Sequence, residues 1–454
     1  MRRLSLLGLL SLLLYLVGRV WQPPLEWSYQ PLYFLWFSAL SCIYTVALIE
    51  VRRRPSASSP LLLPLILGFA LMFRLSLLWV TPGFLSDDFY RYVWDGLVQH
   101  AGINPYYYPP EASELAFLRD DTIFPMINRK WALTIYPPGA QLFFRAMAWL
   151  CPGKLVAMKG VLLLADAGSI ALLLRLLKQL ERSQSLVLLY AWHPLVAVEL
   201  GISGHLDGLM IPFVLLAFLW RFTKRPWLAG LALGAATLIK LYPAILLPAL
   251  YRRRGWEMPI AFFATVGAGY LLYFDAGRQV IGYLPYYMAP NDAYNSSLRV
   301  ILNGLLGMVA PNASHYAQWL AGATLLFVMV QCARRQQKSL EETIQWGVRL
   351  ITLYLLLVSP SVYEWYLLWL LALVTLTQTW SLPAWLYWSW SVNLDYLELY
   401  WSWSVNRHYL ETLALNWLRV AEYGPLFLWL AGRWLWTQAN KLAPGMNKGE
   451  PAEG

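Results

Sequence analysis

Apolar residues in this chain come in long unbroken runs rather than alternating with polar ones or recurring on one helical face. A membrane-spanning helix needs about 20 consecutive apolar residues. Such runs stand near 4–20, 31–50, 61–80, 156–177, 185–203, 206–222, 257–274, 316–332, 344–360, 363–379, 382–400 and 420–437. The pattern predicts an all-α polytopic membrane protein with about 12 transmembrane helices. The first run follows Arg2 and Arg3 as a signal peptide would. Gly18-Arg19-Val20-Trp21 offers no small-residue cleavage site, so the run reads as an uncleaved anchor.

Two apolar segments break the pattern. Residues 139–151 are too short to cross and follow Tyr136-Pro137-Pro138-Gly139, and residues 227–251 are interrupted by Lys240-Leu241-Tyr242-Pro243. Lysine and proline at such depth need protein or a cavity around them, because lipid satisfies neither a charge nor a freed backbone group. Both segments therefore read as broken half-membrane hairpins. The basic clusters at Arg2/Arg3, Arg52–Arg54, Arg175/Lys178/Arg182, Arg221/Lys224/Arg225, Arg252–Arg254, Arg334/Arg335/Lys338 and Arg433/Lys441/Lys448 then fall on one side. Full crossings would send two of them to the other side, against the positive-inside rule. This topology predicts one integral membrane domain over 1–440, both termini cytoplasmic, and a disordered cytoplasmic tail over 441–454.

Composition narrows the class. With 59% hydrophobic and only 13% charged residues, against about 25% charged in soluble domains, a water-soluble enzyme and a disordered chain are both excluded. The 25 Trp and 28 Tyr are residues that membrane–water interfaces recruit. The net charge of +10 resides largely in the clusters above, so it signals orientation and not nucleic-acid binding. Cys42, Cys151 and Cys332 are scattered, which fits neither a disulfide framework nor a thiolate zinc site.

The polar residues left on the predicted outer side are the candidates for chemistry. Residues 81–137 form a loop longer than a connection needs, and it is acidic: Asp87, Asp88, Asp95, Glu111, Glu114, Asp120 and Asp121 face Arg91, Arg119, Arg129 and Lys130. Within it 88–99 reads as a short amphipathic helix with Phe89, Tyr92, Val93 and Leu97 on one side. A second outer loop spans 275–315, and shorter outer segments fall at 203–208, 359–366 and 400–416. Asp87 or Asp88 could take a proton from a bound hydroxyl, although Ser86 or Asp87 equally suits the cap of the helix that follows. Side-by-side carboxylates repel, which favours function, and the pair could hold a divalent cation.

Gly204-His205-Leu206-Asp207-Gly208 offers an imidazole and a carboxylate for a hydroxyl, a phosphate or a metal, or else a helix cap and a backbone contact. Lys240, with Tyr242, costs roughly 2.5–3.5 kcal/mol at a helix centre unless paired or lining a cavity, and a phosphate is the obvious partner. Arg299, after Asn295-Ser296-Ser297-Leu298, suits a phosphate clamp or lipid headgroups. Tyr363-Glu364-Trp365-Tyr366 suits sugar stacking or an aromatic belt. Asp166, inside a run, is a partner for a buried base or half of a structural pair.

The run Ser86-Asp87-Asp88-Phe89-Tyr90-Arg91-Tyr92-Val93-Trp94-Asp95-Gly96, followed by Gly102-Ile103-Asn104-Pro105-Tyr106, resembles the first outer loop of bacterial GT-C glycosyltransferases. The polyprenyl-phosphate-mannose-dependent α-mannosyltransferases are the nearest group. Thr134-Ile135-Tyr136-Pro137-Pro138-Gly139, the Gly204–Gly208 block and Lys240-Leu241-Tyr242-Pro243 follow in the same order. Glu364 departs from that group, where His-Pro is expected before Trp-Tyr. The resemblance implies a GT-C-like helical bundle, with Asp87 or Asp88 as base and Arg91, Tyr136, His205, Asp207, Lys240, Tyr242, Arg299 and Tyr366 binding substrate. It also implies transfer of a sugar, mannose above others, from a polyprenyl-phosphate donor to a glycan or glycolipid hydroxyl on the outer face of the cell membrane. No cofactor is required by that chemistry, and a divalent cation is compatible with it. A transporter or lipid-linked sugar flippase is the alternative from another class, since broken helices and an intramembrane lysine also serve transport. A transporter should show repeated halves and a polar route through both leaflets, neither of which the sequence displays. A polysaccharide polymerase or ligase would carry its large outer loop nearer the C-terminus.

Overall fold

The computed structural model describes residues 1–20, 30–53, 60–83, 85–289, 295, 298–335, 337, 339–377, 381–397 and 411–442. The expected tail beyond 442, and most of the outer segment 400–416, lie outside the described residues. The described chain is helical, with a lone β-bridge between Arg252 and Gly255. Its longer helices are α1 (Arg2–Val20), α2 (Gln30–Arg52), α3 (Leu62–Leu77), α4 (Asp88–His100), α5 (Pro138–Leu150), α6 (Leu155–Gln179), α7 (Asp207–Phe222), α8 (Pro226–Ile239), α9 (Glu257–Leu271), α10 (Leu298–Gly307), α11 (Ala313–Arg335), α12 (Leu340–Leu353), α13 (Leu368–Thr375), α14 (Leu382–Ser391) and α15 (Glu411–Leu442).

Among the described residues, α1, α2, α6 and α11 are long and apolar enough to cross a membrane. The number rises to six if two bent pairs each make one span. Other predicted spans are present as shorter apolar helices, such as α3, so the structure supports a polytopic protein without reaching the count of twelve. The first bend falls inside the run 185–203, expected to be continuous, and the second at the end of the run 257–274, where the second outer loop was expected to begin. The helix Gln184–Ala191 turns by 60° into Pro194–Ser203, and α9 turns by 108° into Phe274–Tyr287. At the first bend Pro194 cannot donate to the preceding turn, and His193 caps the new helix, its Nδ1 accepting from the Leu195 N–H at 3.2 Å.

Two buried cations satisfy carbonyls where helices end, one of them at the first bend. Arg74 of α3 donates to the Ala191 carbonyl at 2.7 Å and pairs with Asp166 of α6 at 2.5 Å, while the Tyr190 hydroxyl donates to the other Asp166 oxygen at 2.8 Å. Asp166 is thus half of a structural pair. Lys159 of α6, fully buried, donates to the carbonyls of Leu77 and Val80 just beyond α3, where a helix end leaves acceptors unsatisfied.

Helix α8 packs against α7 and α9. Gly230 and Gly234 present a smooth face to α9, as small residues four apart do in membrane helix pairs. A Cβ on Gly234 would meet that of Thr265 at 2.7 Å. Helix α4 is not the surface amphipathic helix the pattern suggested. Ten of its thirteen residues are buried, because α5 packs along it and the short loop turns Ser113–Leu118 and Phe124–Met126 also fold against it. The predicted breaks at 136–139 and 240–243 are both present: α5 begins at Pro138 and α8 ends at Ile239.

Candidate active site

The start of α4, the loop before α5, the break after α8, the turn after α9 and the corner after α12 enclose a cavity of about 430 Å³. Its rim carries Asp87 and Asp88. Asp87 occupies the N-cap position of α4, yet its side chain makes no cap hydrogen bond. Ser86 Oγ instead accepts from the Asp88 N–H at 3.4 Å. Both carboxylates turn to Asn128, whose Nδ2 donates to Asp87 Oδ1 at 2.5 Å and to Asp88 Oδ1 at 3.1 Å. Burial and the neighbouring Asp88 charge push the Asp87 carboxyl up to about 6, against the opposing pull of Asn128 and Arg129. Burial also raises Asp88, with Asn128, Lys240 and Arg129 acting to lower it. One carboxylate beside another that resists ionisation makes a proton acceptor near neutral pH.

The inner wall comes from the chain break after α8. Lys240 has extended backbone (φ −143°, ψ 138°), which turns its side chain out of the helix. Its Nζ lines the cavity and donates to Asp207 Oδ2 at 2.5 Å. The Tyr242 hydroxyl donates to the other Asp207 oxygen. Asp207, in the first turn of α7 and fully buried, therefore holds both residues that the sequence marked in the break. The partner of the lysine in this structure is a carboxylate.

His205 stands deeper. Its ring stacks on Trp365 with centroids 3.8 Å apart, and its Nε2 lies 3.2 Å from Glu199 Oε2, with both side chains fully buried. Trp365 is the face that reaches the cavity. Gly204 makes this packing possible: at φ +71° it takes the left-handed conformation that glycine tolerates, and the Phe89 ring occupies the place where a Cβ would sit.

The remaining expected residues divide. Arg91, Tyr136, Tyr242 and Tyr366 line the cavity. Arg91 donates to Asp95 at 2.8 Å and to the Ala132 carbonyl at 3.1 Å, and Asp95 in turn accepts from Thr134 and Gln141. The Tyr366 and Tyr287 hydroxyls share a hydrogen bond of 2.9 Å, and Lys240 Nζ lies 5.5 Å from the Tyr366 ring centre. Arg299 is not brought to the cavity; it is buried on α10, with Nη1 3.5 Å from the Val358 carbonyl.

Several residues at the site carried no sequence signal of their role. Asn128 and Arg129 sit in an irregular stretch forty positions from the carboxylates they face. Tyr283 and Tyr287 come from the expected second outer loop, and nothing local in the sequence marks its return over the cavity. Glu199 did carry a signal, a lone carboxylate inside the apolar run 185–203, and the structure sets it against His205. Among the described residues no group of three or more His, Cys, Asp or Glu is placed to hold a metal ion.

Carboxylates able to take a proton, beside cations able to hold an anion, in a scaffold built for lipid, fit a membrane-bound transferase of activated groups. The chain belongs to glycosyltransferase family 87, whose family model matches residues 134–360, half of its length. It is a glycosyltransferase, and its substrates are a sugar donor and an acceptor. The match takes in Tyr136, His205, Asp207, Lys240, Tyr242 and Arg299, and leaves Asp87, Asp88, Arg91 and Tyr366 outside its bounds. No curated protein matches the chain.

Proposed function

We propose that this glycosyltransferase takes mannose from a polyprenyl-phosphate donor and passes it to a hydroxyl of a glycan or glycolipid at the outer face of the cell membrane. The observation that carries the reading is one cavity with paired, half-buried carboxylates at its rim and Lys240 on its inner wall, set in a lipid-compatible bundle. A donor with a long apolar tail gives a reason to build the enzyme in the membrane.

In the transfer, the bond between the sugar C1 and the phosphate oxygen breaks, and its electron pair stays on the phosphate. The acceptor oxygen bonds to C1 as positive charge develops on the sugar ring. The acceptor proton passes to Asp87 or Asp88. A phosphate leaves without a proton, so the leaving group needs cations rather than a general acid. Lys240 supplies one from the inner wall, and Arg299 reaches it only if α10 shifts. Tyr136, Tyr242 and Tyr366 offer ring faces and hydroxyls to the sugar, while Arg91 holds the rim through Asp95. His205 and Asp207 act from behind the wall, through Trp365 and Lys240. The topology that goes with this has both termini cytoplasmic and the cavity opening outward.

The test is transfer by purified protein in lipid nanodiscs, offered polyprenyl-phosphate mannose, polyprenyl-phosphate glucose or a nucleotide mannose, with and without chelator. Transfer from the lipid-linked mannose supports the reading. Transfer from the nucleotide sugar alone overturns it.

A further inference from the structure

Glu199, Glu364, Asp395 and Glu422 are all buried, and the charges of the other three bear on Glu364. Those three have polar partners. Glu199 lies 3.2 Å from His205 Nε2, Asp395 lies 3.7 Å from Arg419, and Glu422 accepts from the Asn295 amide at 3.2 Å. Glu364 stands in the corner between α12 and α13 and is only 2% exposed, yet among the described residues its carboxyl meets no polar group beyond its own backbone N–H. Of the four it is the one that lines the cavity.

Burying a polar group without a hydrogen bond costs free energy, and no side chain offsets that cost at Glu364. With three carboxylates bearing on it and no cation against it, the carboxyl holds its proton. In that form it donates through its O–H and still accepts hydrogen bonds, whereas an ionised carboxylate only accepts. A sugar hydroxyl is likewise both donor and acceptor. The corner is also rigid: the rings of Tyr363 and Trp365, on either side of Glu364 in the chain, stack with centres 4.6 Å apart, and Trp365 stacks in turn on His205 at 3.8 Å.

We propose that Glu364 binds a hydroxyl of the transferred sugar and so selects which sugar the enzyme accepts, a role that rests on the lipid-linked donor proposed above. The O–H of the carboxyl donates to the sugar oxygen, and its carbonyl oxygen accepts the proton of the same hydroxyl or of its neighbour on the ring. A sugar lacking that hydroxyl leaves a buried carboxyl without a partner. A site of this kind rejects such an analogue far more strongly than an apolar pocket rejects a misfit of similar size. Glu364 takes no part in the proton transfer, which stays with Asp87 or Asp88.

The test uses the full-length protein in nanodiscs and measures kcat/KM for polyprenyl-phosphate mannose and for its 3-, 4- and 6-deoxy forms. Wild type is expected to lose about tenfold or more with at least one deoxy donor. Glu364→Leu should use mannose poorly and no longer tell that deoxy donor from it, since the hydroxyl and its partner are then both gone. Glu364→Gln, uncharged and able to donate and accept, should keep the wild-type order of donors. Equal use of all four donors by wild type overturns the inference, as does undiminished discrimination in a folded Glu364→Leu protein, with Glu364→Ala in its place if the leucine variant does not fold. Loss of discrimination in Glu364→Gln as complete as in Glu364→Leu also contradicts it, because an ionised carboxylate would then be what the site needs. Failure of the wild type with the lipid-linked mannose itself refutes the proposed donor, and this role with it.

Discussion

Lys240 Nζ meets Asp207 Oδ2 at 2.5 Å, joining the end of one membrane-buried helix to the start of another thirty-three positions earlier. The pair explains how a lysine is tolerated at the break after α8: the charge is matched by a fully buried carboxylate, which Tyr242 also holds. Removing one member leaves the other unmatched in low dielectric. Asp207→Asn and Lys240→Met are each expected to destabilise the protein by about 3–5 kcal/mol, and the double variant by less than the sum. Thermal unfolding in detergent across the four proteins checks this. Additive losses would show that the pair is not coupled.

The carboxylates at the rim give the reaction a pH dependence. If Asp87 is the base, the transfer rate falls about tenfold per pH unit below about 6, since only the ionised form accepts the proton. Asn128 donates to both carboxylates and so favours their charged forms. Asn128→Ala is expected to move the acid limb to higher pH, which a pH–rate profile of the variant measures. An unmoved limb would mean that neither carboxylate is the titrating base.

A third expectation concerns the stack behind the wall. His205 touches the cavity only through Trp365, at 3.8 Å between rings. His205→Phe, which keeps a flat ring, should retain most activity, whereas His205→Ala should lower it at least tenfold by releasing the tryptophan. The comparison separates support of Trp365 from direct binding: equal, large losses in both variants would make the imidazole itself a ligand of substrate.

The close approach of α8 to α9 makes a fourth. Gly234→Leu forces the helices apart at Thr265 and should cost folded protein, seen as lost monodispersity in detergent, while Gly267→Leu, whose Cβ meets nothing within 4 Å, should not.

How much of this was legible in the sequence follows from what each signal measures. Hydropathy finds apolar runs, so the membrane class and helices such as α1, α2, α6 and α11 were visible in it. It does not see direction, so the bend at 191–194 was missed, whereas the one at 271–274 falls where the run was expected to end; helices packed inside the bundle are also shorter than a lone span. Misplaced charge is a strong local signal: Asp87, Asp88, Asp207 and Lys240 all stood out, and three of them line the cavity. What the sequence could not show was pairing. Lys240 was assigned a phosphate and is found on Asp207; His205 was expected to face substrate and is found behind Trp365; Arg299 was expected at the site and is found against Val358. Asn128 and Arg129 were illegible because a polar residue in a polar loop has no environment to contradict until the loop is folded over its partners.

The central claim is that the carboxylate pair at the rim takes the acceptor proton in sugar transfer from a polyprenyl phosphate. The most direct measurement is the single-turnover rate of transfer from labelled polyprenyl-phosphate mannose by wild type, Asp87→Asn and Asp88→Asn, with donor binding measured in parallel. The account predicts that at least one variant loses 10²-fold or more in rate while still binding donor. Wild-type rates in both variants would contradict it.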